Sequence, residues 1–421
     1  MKLKFTLLLL LVLFTITSKA QFSIDAELRP RTEYRHGYNT LIAKDTEPGY
    51  GISTRARLNF GYKAEAYEVF FSMQDVMVWG ENRQILPKDL NNSFAIFQAW
   101  AKLKLGENFS TKFGRQVLSY DDQRIMGGLD WAQQGRNHDA ILIKYNKNKF
   151  IFDLGFAFNQ DYDNISGFVN AGNNYLTTGF FSYKTMQYGH FKKSWENFSG
   201  SLLILNNGFQ NFDNLNNQDG ISNLQTFGIH LNYGKKLFAL AANIYGQTGE
   251  RQGEVDVKGA FLASLDFTFK TNTLVNFGLG GEVISGNDGE AGETGAFFPL
   301  YGTNHKFNGF MDYFYVGNHA NSIGLIDIHA SASFKINEKS GLLIKVLNFS
   351  GEQALPSGEK SLGTEVDLVY SLKLNGFTFK AGYSQMFASK GMYELKGLDE
   401  SLAANTQNWA WAMVVFKPKF L

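Results

Sequence analysis

Residues 22–35 constrain the fold more than any other stretch. Odd positions carry Ser23, Asp25, Glu27, Arg29, Arg31, Glu33 and Arg35, and even positions carry Phe22, Ile24, Ala26, Leu28, Pro30, Thr32 and Tyr34. Successive side chains of a strand point to opposite faces, so one face of this segment is densely charged and the other carries no charge. Such a wall separates two different media. A polar lumen and a lipid exterior supply them.

The same two-residue period recurs downstream. On strand 2, Ser53, Arg55, Arg57 and Asn59 oppose Ile52, Ala56, Leu58 and Phe60. Near residue 266, Ser264, Asp266, Thr268 and Lys270 oppose Ala263, Leu265, Phe267 and Phe269. Asp327, His329, Ser331, Ser333 and Lys335 oppose Ile326, Ile328, Ala330, Ala332 and Phe334, and Glu365, Asp367, Ser371 and Lys373 oppose Val366, Leu368, Tyr370 and Leu372. An Arg or Lys facing mid-bilayer lipid costs about 2–4 kcal/mol, which assigns the polar faces to the inside.

The pattern predicts an all-β chain of about 18 strands, a transmembrane antiparallel barrel with short periplasmic turns and long extracellular loops. Tight polar links such as 63–66, 105–108, 146–149, 233–236, 337–340 and 374–376 alternate with longer ones such as 37–50, 122–137, 160–173, 287–321 and 389–405. A strand expected over 173–185 leaves a long 185–198 link where a short turn is due. No amphipathic helix is expected. Only six Pro and 15% aromatic residues suit long strands and aromatic girdles.

Residues 1–20 read as a secretory signal peptide: Lys2 and Lys4, then the apolar run Leu7 to Phe14, then Ser18-Lys19-Ala20. Its removal takes the formal charge from +1 to about −2. Residues 21–421 are expected to form one barrel with no plug domain ahead of strand 1. That address is the outer membrane of a Gram-negative bacterium, because an exported chain without long apolar helices enters a membrane only as a closed barrel. The chain has no Cys, which excludes disulfides and thiolate metal sites. The near-zero net charge speaks against a nucleic-acid partner.

Several pieces between residues 55 and 142 carry a family resemblance. They are Arg55-Ala-Arg-Leu, Gln74-Asp-Val-Met-Val-Trp-Gly80, Gln98-Ala-Trp-Ala, Phe113-Gly-Arg-Gln116, Tyr120, Arg124, Leu129-Asp-Trp131 and Arg136-Asn-His-Asp-Ala-Ile-Leu142. In this order they resemble the alginate-export family of outer-membrane barrels. The resemblance covers the first third of the chain and implies an 18-stranded monomer with an arginine-lined pore for an acidic polysaccharide.

The candidate pore-lining residues are Arg29, Arg31, Arg55, Arg57, Arg115, Arg124, Asp130 and Arg136. Arg29, Arg31, Arg55 and Arg57 share inward parity on adjacent strands, and guanidinium groups pair with carboxylates in a fork. They either select anions or pair with nearby inward acids such as Glu27 and Glu33. Arg115 shares the parity of Phe109 and Phe113, so a bulge at Gly114 is expected to turn it inward. Arg124, Asp130 and Arg136 fall in the loop after strand 5, as a constriction or a solvated loop. Loop 287–321, rich in Phe and Tyr, is expected to act as a lid, to stack on sugar rings, or to form an outer cap. The expected partners are outer-membrane lipid and an anionic polysaccharide or small anionic solute, with any periplasmic partner unidentified.

Three functions follow from these features: a passive pore for an anionic solute or alginate-like polysaccharide, a weakly selective porin, and an outer-membrane hydrolase active at the rim. Scattered histidines and the lack of HExxH or Gly-x-Ser-x-Gly weigh against an enzyme. Asp213 to Gly220 lacks the terminal Glu of a calcium loop. No cofactor or metal is expected.

Overall fold

The structure is a computed structural model. It describes residues 21–81, 93–159, 183–214, 218–271, 274–287, 292–319 and 322–421. The expected signal peptide lies outside the described residues.

Eighteen long strands run in chain order: β1 Gln21–His36, β2 Gly49–Lys63, β3 Tyr67–Val78, β4 Ala95–Lys104, β5 Phe109–Gln116, β6 His138–Lys147, β7 Phe150–Phe158, β8 Thr185–Ser194 and β9 Phe198–Phe212. They continue as β10 Gln218–Gly234, β11 Phe238–Arg251, β12 Val255–Lys270, β13 Val275–Ile284, β14 Leu325–Lys335, β15 Ser340–Ser350, β16 Ser361–Leu374, β17 Phe377–Ala388 and β18 Gln407–Phe416. Each pairs antiparallel with the next, and β1 pairs with β18, for example Arg31 opposite Met413. The sheet is therefore a closed 18-stranded barrel with no free edge, so neighbouring strands satisfy the wall's backbone hydrogen bonds.

Burial runs opposite to that of a water-soluble domain. Leu265, Leu279 and Ile328 are 57%, 62% and 59% exposed, whereas Arg55, Glu365 and Asp367 are fully buried. Apolar side chains face the acyl tails and charged ones face the bore. Replacing Leu265 by Arg should cost about 2–4 kcal/mol of barrel stability. The inward Thr268→Arg should cost far less. Urea unfolding in lipid vesicles compares the two, and equal costs would contradict this sidedness.

Turns at 64–66, 105–108, 148–149, 195–197, 235–237, 336–339 and 375–376 close one end. The loops spanning 37–48, 117–137, 285–324 and 389–406 leave the other. Strand β8 begins at Thr185, so the long 185–198 link of the sequence reading is in fact the turn 195–197. Residues 173–182 of the strand expected there lie outside the described residues. Among the described residues, one short α-helix, α1 Lys390–Lys396, ends at Gly397 in the left-handed region.

Candidate functional site

Two loops leave the wall and pass through the bore. Loop 117–137 joins β5 to β6 but touches strands around most of the barrel. Asp121 accepts hydrogen bonds from His190 on β8 (2.9 Å) and Ser201 on β9 (2.7 Å), and Asp122 accepts one from Asn243 on β11 (2.7 Å). Arg124 reaches Glu282 on β13, with Nε 2.7 Å from Oε2. Trp131 meets Trp409 and Trp411 on β18 edge-on. Only a loop crossing the interior can make these contacts together. Burial alone would raise the Asp121 pKa, but the bonds from His190 and Ser201 and the charge of His190 hold it at about 2.

The β1–β2 arginines receive this loop. Arg29 donates to the carbonyls of Asp130 (2.7 Å) and Ala132 (3.1 Å) and to the Gln133 side chain (3.0 Å), while Arg31 donates to the Trp131 carbonyl (2.9 Å). Arg55 binds Glu27 and Asp130 and reaches the Gln133 carbonyl. Arg57 lies 3.6 Å from Asp130 and stacks on Phe97. Their guanidinium groups point into loop backbone and acids, and Asp130 is the member of the cluster left mostly exposed, at 69% of its side chain.

Arg124 is fully buried against Glu282 and Asn308. Arg136 donates to the carbonyls of Tyr301 and Gly302 in the second loop. Arg115 sits elsewhere. Gly114 takes φ +111°, yet the pairing with β4 and β6 runs through it without a shift, so the expected bulge is absent. Arg115 therefore keeps the outward parity of Phe113 and forms a two-pronged ion pair with Asp139 at 2.9 Å. Asp75 likewise faces outward beside Ala56 and accepts from Ser93.

Loop 285–324 joins β13 to β14 and also folds inward. Its Tyr301 hydroxyl reaches Asn207 on β9, the Met311 amide donates to Glu365 on β16 (2.9 Å), and the Phe307 carbonyl accepts from Lys345 on β15 (3.0 Å). The two loops meet in a stacked column. Arg31 lies 4.5 Å over Trp131, Trp131 stacks on His305 at 4.4 Å and 9°, and His305 stacks on Phe310 at 5.3 Å. His305 is fixed edgewise by Asp312 at 3.0 Å.

Beneath the loops, toward the tight turns, a cavity of about 750 Å³ remains. Its lining includes Lys306, Lys373, Lys380 and Lys417 with Arg29, against Glu27 and Asp130. Lys417 pairs with Glu27 at 2.9 Å. Among the described residues, Lys306, Lys373 and Lys380 have no carboxylate within 4.0 Å. The turn-side half of the inner wall carries further lysines, including Lys102, Lys112 and Lys144 on β4 to β6. In the sequence, the arginines of β1 and β2 are the conspicuous inward cations. Parity had already placed Lys373 inward, and that was the available signal. Nothing in sequence marked Trp131 and His305 as partners.

Comparison with known proteins agrees with this architecture. A family model described as Alginate export matches residues 20–381. No curated protein matches the chain. Among solved structures, Pseudomonas aeruginosa OprD is similar at 12% identity and TM-score 0.64, over 96% of this chain and 98% of that one. Acinetobacter baumannii OccAB4 is similar at 13% identity and TM-score 0.64, over 96% and 99%. Pseudomonas aeruginosa OccK2 (OpdF), solved in complex with glucuronate, shares 11% identity at TM-score 0.63, over 95% and 99%. At these identities the likeness is one of fold.

Proposed function

The chain belongs to the Alginate export family and lies in the outer membrane as a channel, and on that premise we propose that it passes a hydrophilic, carboxylated solute of the uronate class by passive diffusion. The observation that carries this reading is the cavity of about 750 Å³ under the loops, lined by Lys306, Lys373 and Lys380, which have no carboxylate partner among the described residues, Lys306 donating instead to the Asp122 carbonyl at 2.8 Å. Ammonium groups on flexible stems make weak, exchangeable contacts with carboxylates, each worth about 0–1 kcal/mol when exposed. Conduction needs binding that is also easy to leave. The volume falls within the range of about 300–1,000 Å³ usual for small-molecule sites. With two loops across the bore, it suits a monomer or a single extended strand better than a bulky chain. That one fold neighbour was solved with glucuronate is in keeping with this class.

In this reading the arginines act on selectivity through the loop they hold, and the lysines meet the solute. A weakly selective porin is the second reading, favoured by the exposed carboxylate of Asp130 in the same cavity.

Reversal potentials in planar bilayers under a KCl gradient test the proposal. The wild-type channel should prefer anions. The Lys306→Glu, Lys373→Glu, Lys380→Glu triple variant should lower the anion-to-cation permeability ratio by roughly tenfold or more, with glucuronate flux falling in parallel. A wild-type channel indifferent to ion sign would favour the porin reading.

A further inference from the structure

The inner wall holds two acids that solute recognition does not use. Glu365 and Asp367 follow one another on the inward face of β16, and both are fully buried. Their oxygens Glu365 Oε2 and Asp367 Oδ2 receive no donor among the described residues. Two residues apart on one face of the strand, the two carboxyl groups are neighbours in the same buried site. Neighbouring carboxylates buried together repel and lack water, so full ionisation of the pair is disfavoured and retention of one proton is favoured.

The pair sits directly under the tip of loop 285–324. Glu365 Oε1 accepts from the Met311 amide at 2.9 Å. Gly309 turns there with φ +87°, and a Cβ on it would lie 2.6 Å from Glu365 Oε2. The loop backbone is thus closed down on the acid.

The surroundings define the charge balance. Across the sheet, Glu365 faces Leu347 on β15 and Met386 on β17, both apolar. Asp367 faces Lys345 on β15, whose Nζ is engaged by the Phe307 carbonyl, and Ser384 on β17, which donates to it at 2.5 Å. From the loop come His305, Lys306 and Asp312. From the outer side come Tyr38, bonded to Asp312, and Lys396, bonded to the Tyr313 carbonyl. Lys345 balances one negative charge on the pair. His305 is paired with Asp312 and Lys306 is bonded to the Asp122 carbonyl, so among the described residues no cation forms an ion pair with a second negative charge there.

We propose that Glu365 and Asp367 form a proton-sharing latch that keeps the 307–313 tip docked across the bore and releases it when the pair loses its shared proton. The sign follows from linkage. The docked form binds a proton that the released, hydrated form does not need, so docking is favoured at low pH and weakens as pH rises. Once released, the tip no longer narrows the bore, and conductance increases.

Single-channel conductance of the full chain in planar bilayers, taken from about pH 6 to about pH 9, tests this. The wild type should rise by roughly twofold or more. A Glu365→Gln, Asp367→Asn variant keeps the size and hydrogen-bonding capacity of the pair but cannot ionise, and should stay at the low-pH value throughout. Hydrogen exchange of the 305–313 peptide in the wild type, corrected for the intrinsic pH dependence, should accelerate over the same range as the conductance. A flat wild-type profile overturns the latch. So does an equal rise in the double variant, which retains every lysine of the cavity, or exchange at 305–313 that does not change with pH beyond the intrinsic effect.

Discussion

Arg124→Ala is expected to raise single-channel conductance several-fold and to expose loop 117–137 to protease. Arg124 carries this loop to the far wall, where its guanidinium meets Glu282 on β13, with 0% and 5% of the two side chains exposed. Asn308 of the second loop bonds both partners. Removing one member of a buried pair leaves the other charge unbalanced, at a cost of about 3–5 kcal/mol. At 1.4 kcal/mol per factor of ten, the docked population falls by roughly a hundred-fold to several thousand-fold. The barrel wall does not depend on this contact, so the protein should still fold and insert. Replacing the pair together, as Arg124→Met with Glu282→Leu, should be far milder because no charge is stranded. Unchanged conductance in Arg124→Ala would mean that the loop is held by its other contacts alone.

The wall was legible in the sequence because lipid and water sort alternate side chains on every strand, and a single-residue slip would invert the whole face. Strands β1, β2, β12, β14 and β16 show this plainly. Strand β8 did not, and Gln187 gives a reason. It faces outward, but its side chain is tied to Asn206 on β9 at 2.8 Å, so an amide occupies a position where an apolar residue would have marked the outer face. Arg115 misled for a related reason. A lone outward arginine seemed untenable, but Asp139 stands opposite it in register and satisfies it near the end of its strand.

The interior was far less legible. Whether a loop folds outward or inward depends on partners spread over hundreds of residues, such as Asp121 with His190 or Tyr301 with Asn207. No local pattern marks them. The arginines were recognised as inward-facing, but their partners include backbone carbonyls of loop 117–137, and a carbonyl leaves no trace in a sequence. Of the cavity lysines, Lys373 was visible by parity and was outweighed by the more conspicuous Arg-rich strands, whereas Lys306 lies in a loop and Lys417 beyond the last strand, where parity gives no signal.

Arg55→Ala separates anchoring from direct selection. If Arg55 met the solute directly, its loss would reduce anion preference and leave pore size alone. The geometry predicts otherwise. Arg55 is fully buried, its Nε donates to Glu27 at 2.9 Å and its Nη2 to Asp130 at 2.9 Å, and Nη1 faces the carbonyls of Asp130, Ala132 and Gln133. Without it, Glu27 keeps Lys417 and a more distant Arg29, and several loop carbonyls lose a donor. The expected cost to docking is again about 3–5 kcal/mol. Conductance should rise, and anion preference should fall because Glu27 and Asp130 are unmasked toward the cavity. Adding Glu27→Gln should restore most of the anion preference, since it removes the unmasked charge, but should leave the conductance high, since it rebuilds none of the loop contacts. A loss of anion preference at unchanged conductance, not corrected by Glu27→Gln, would assign Arg55 to the solute path.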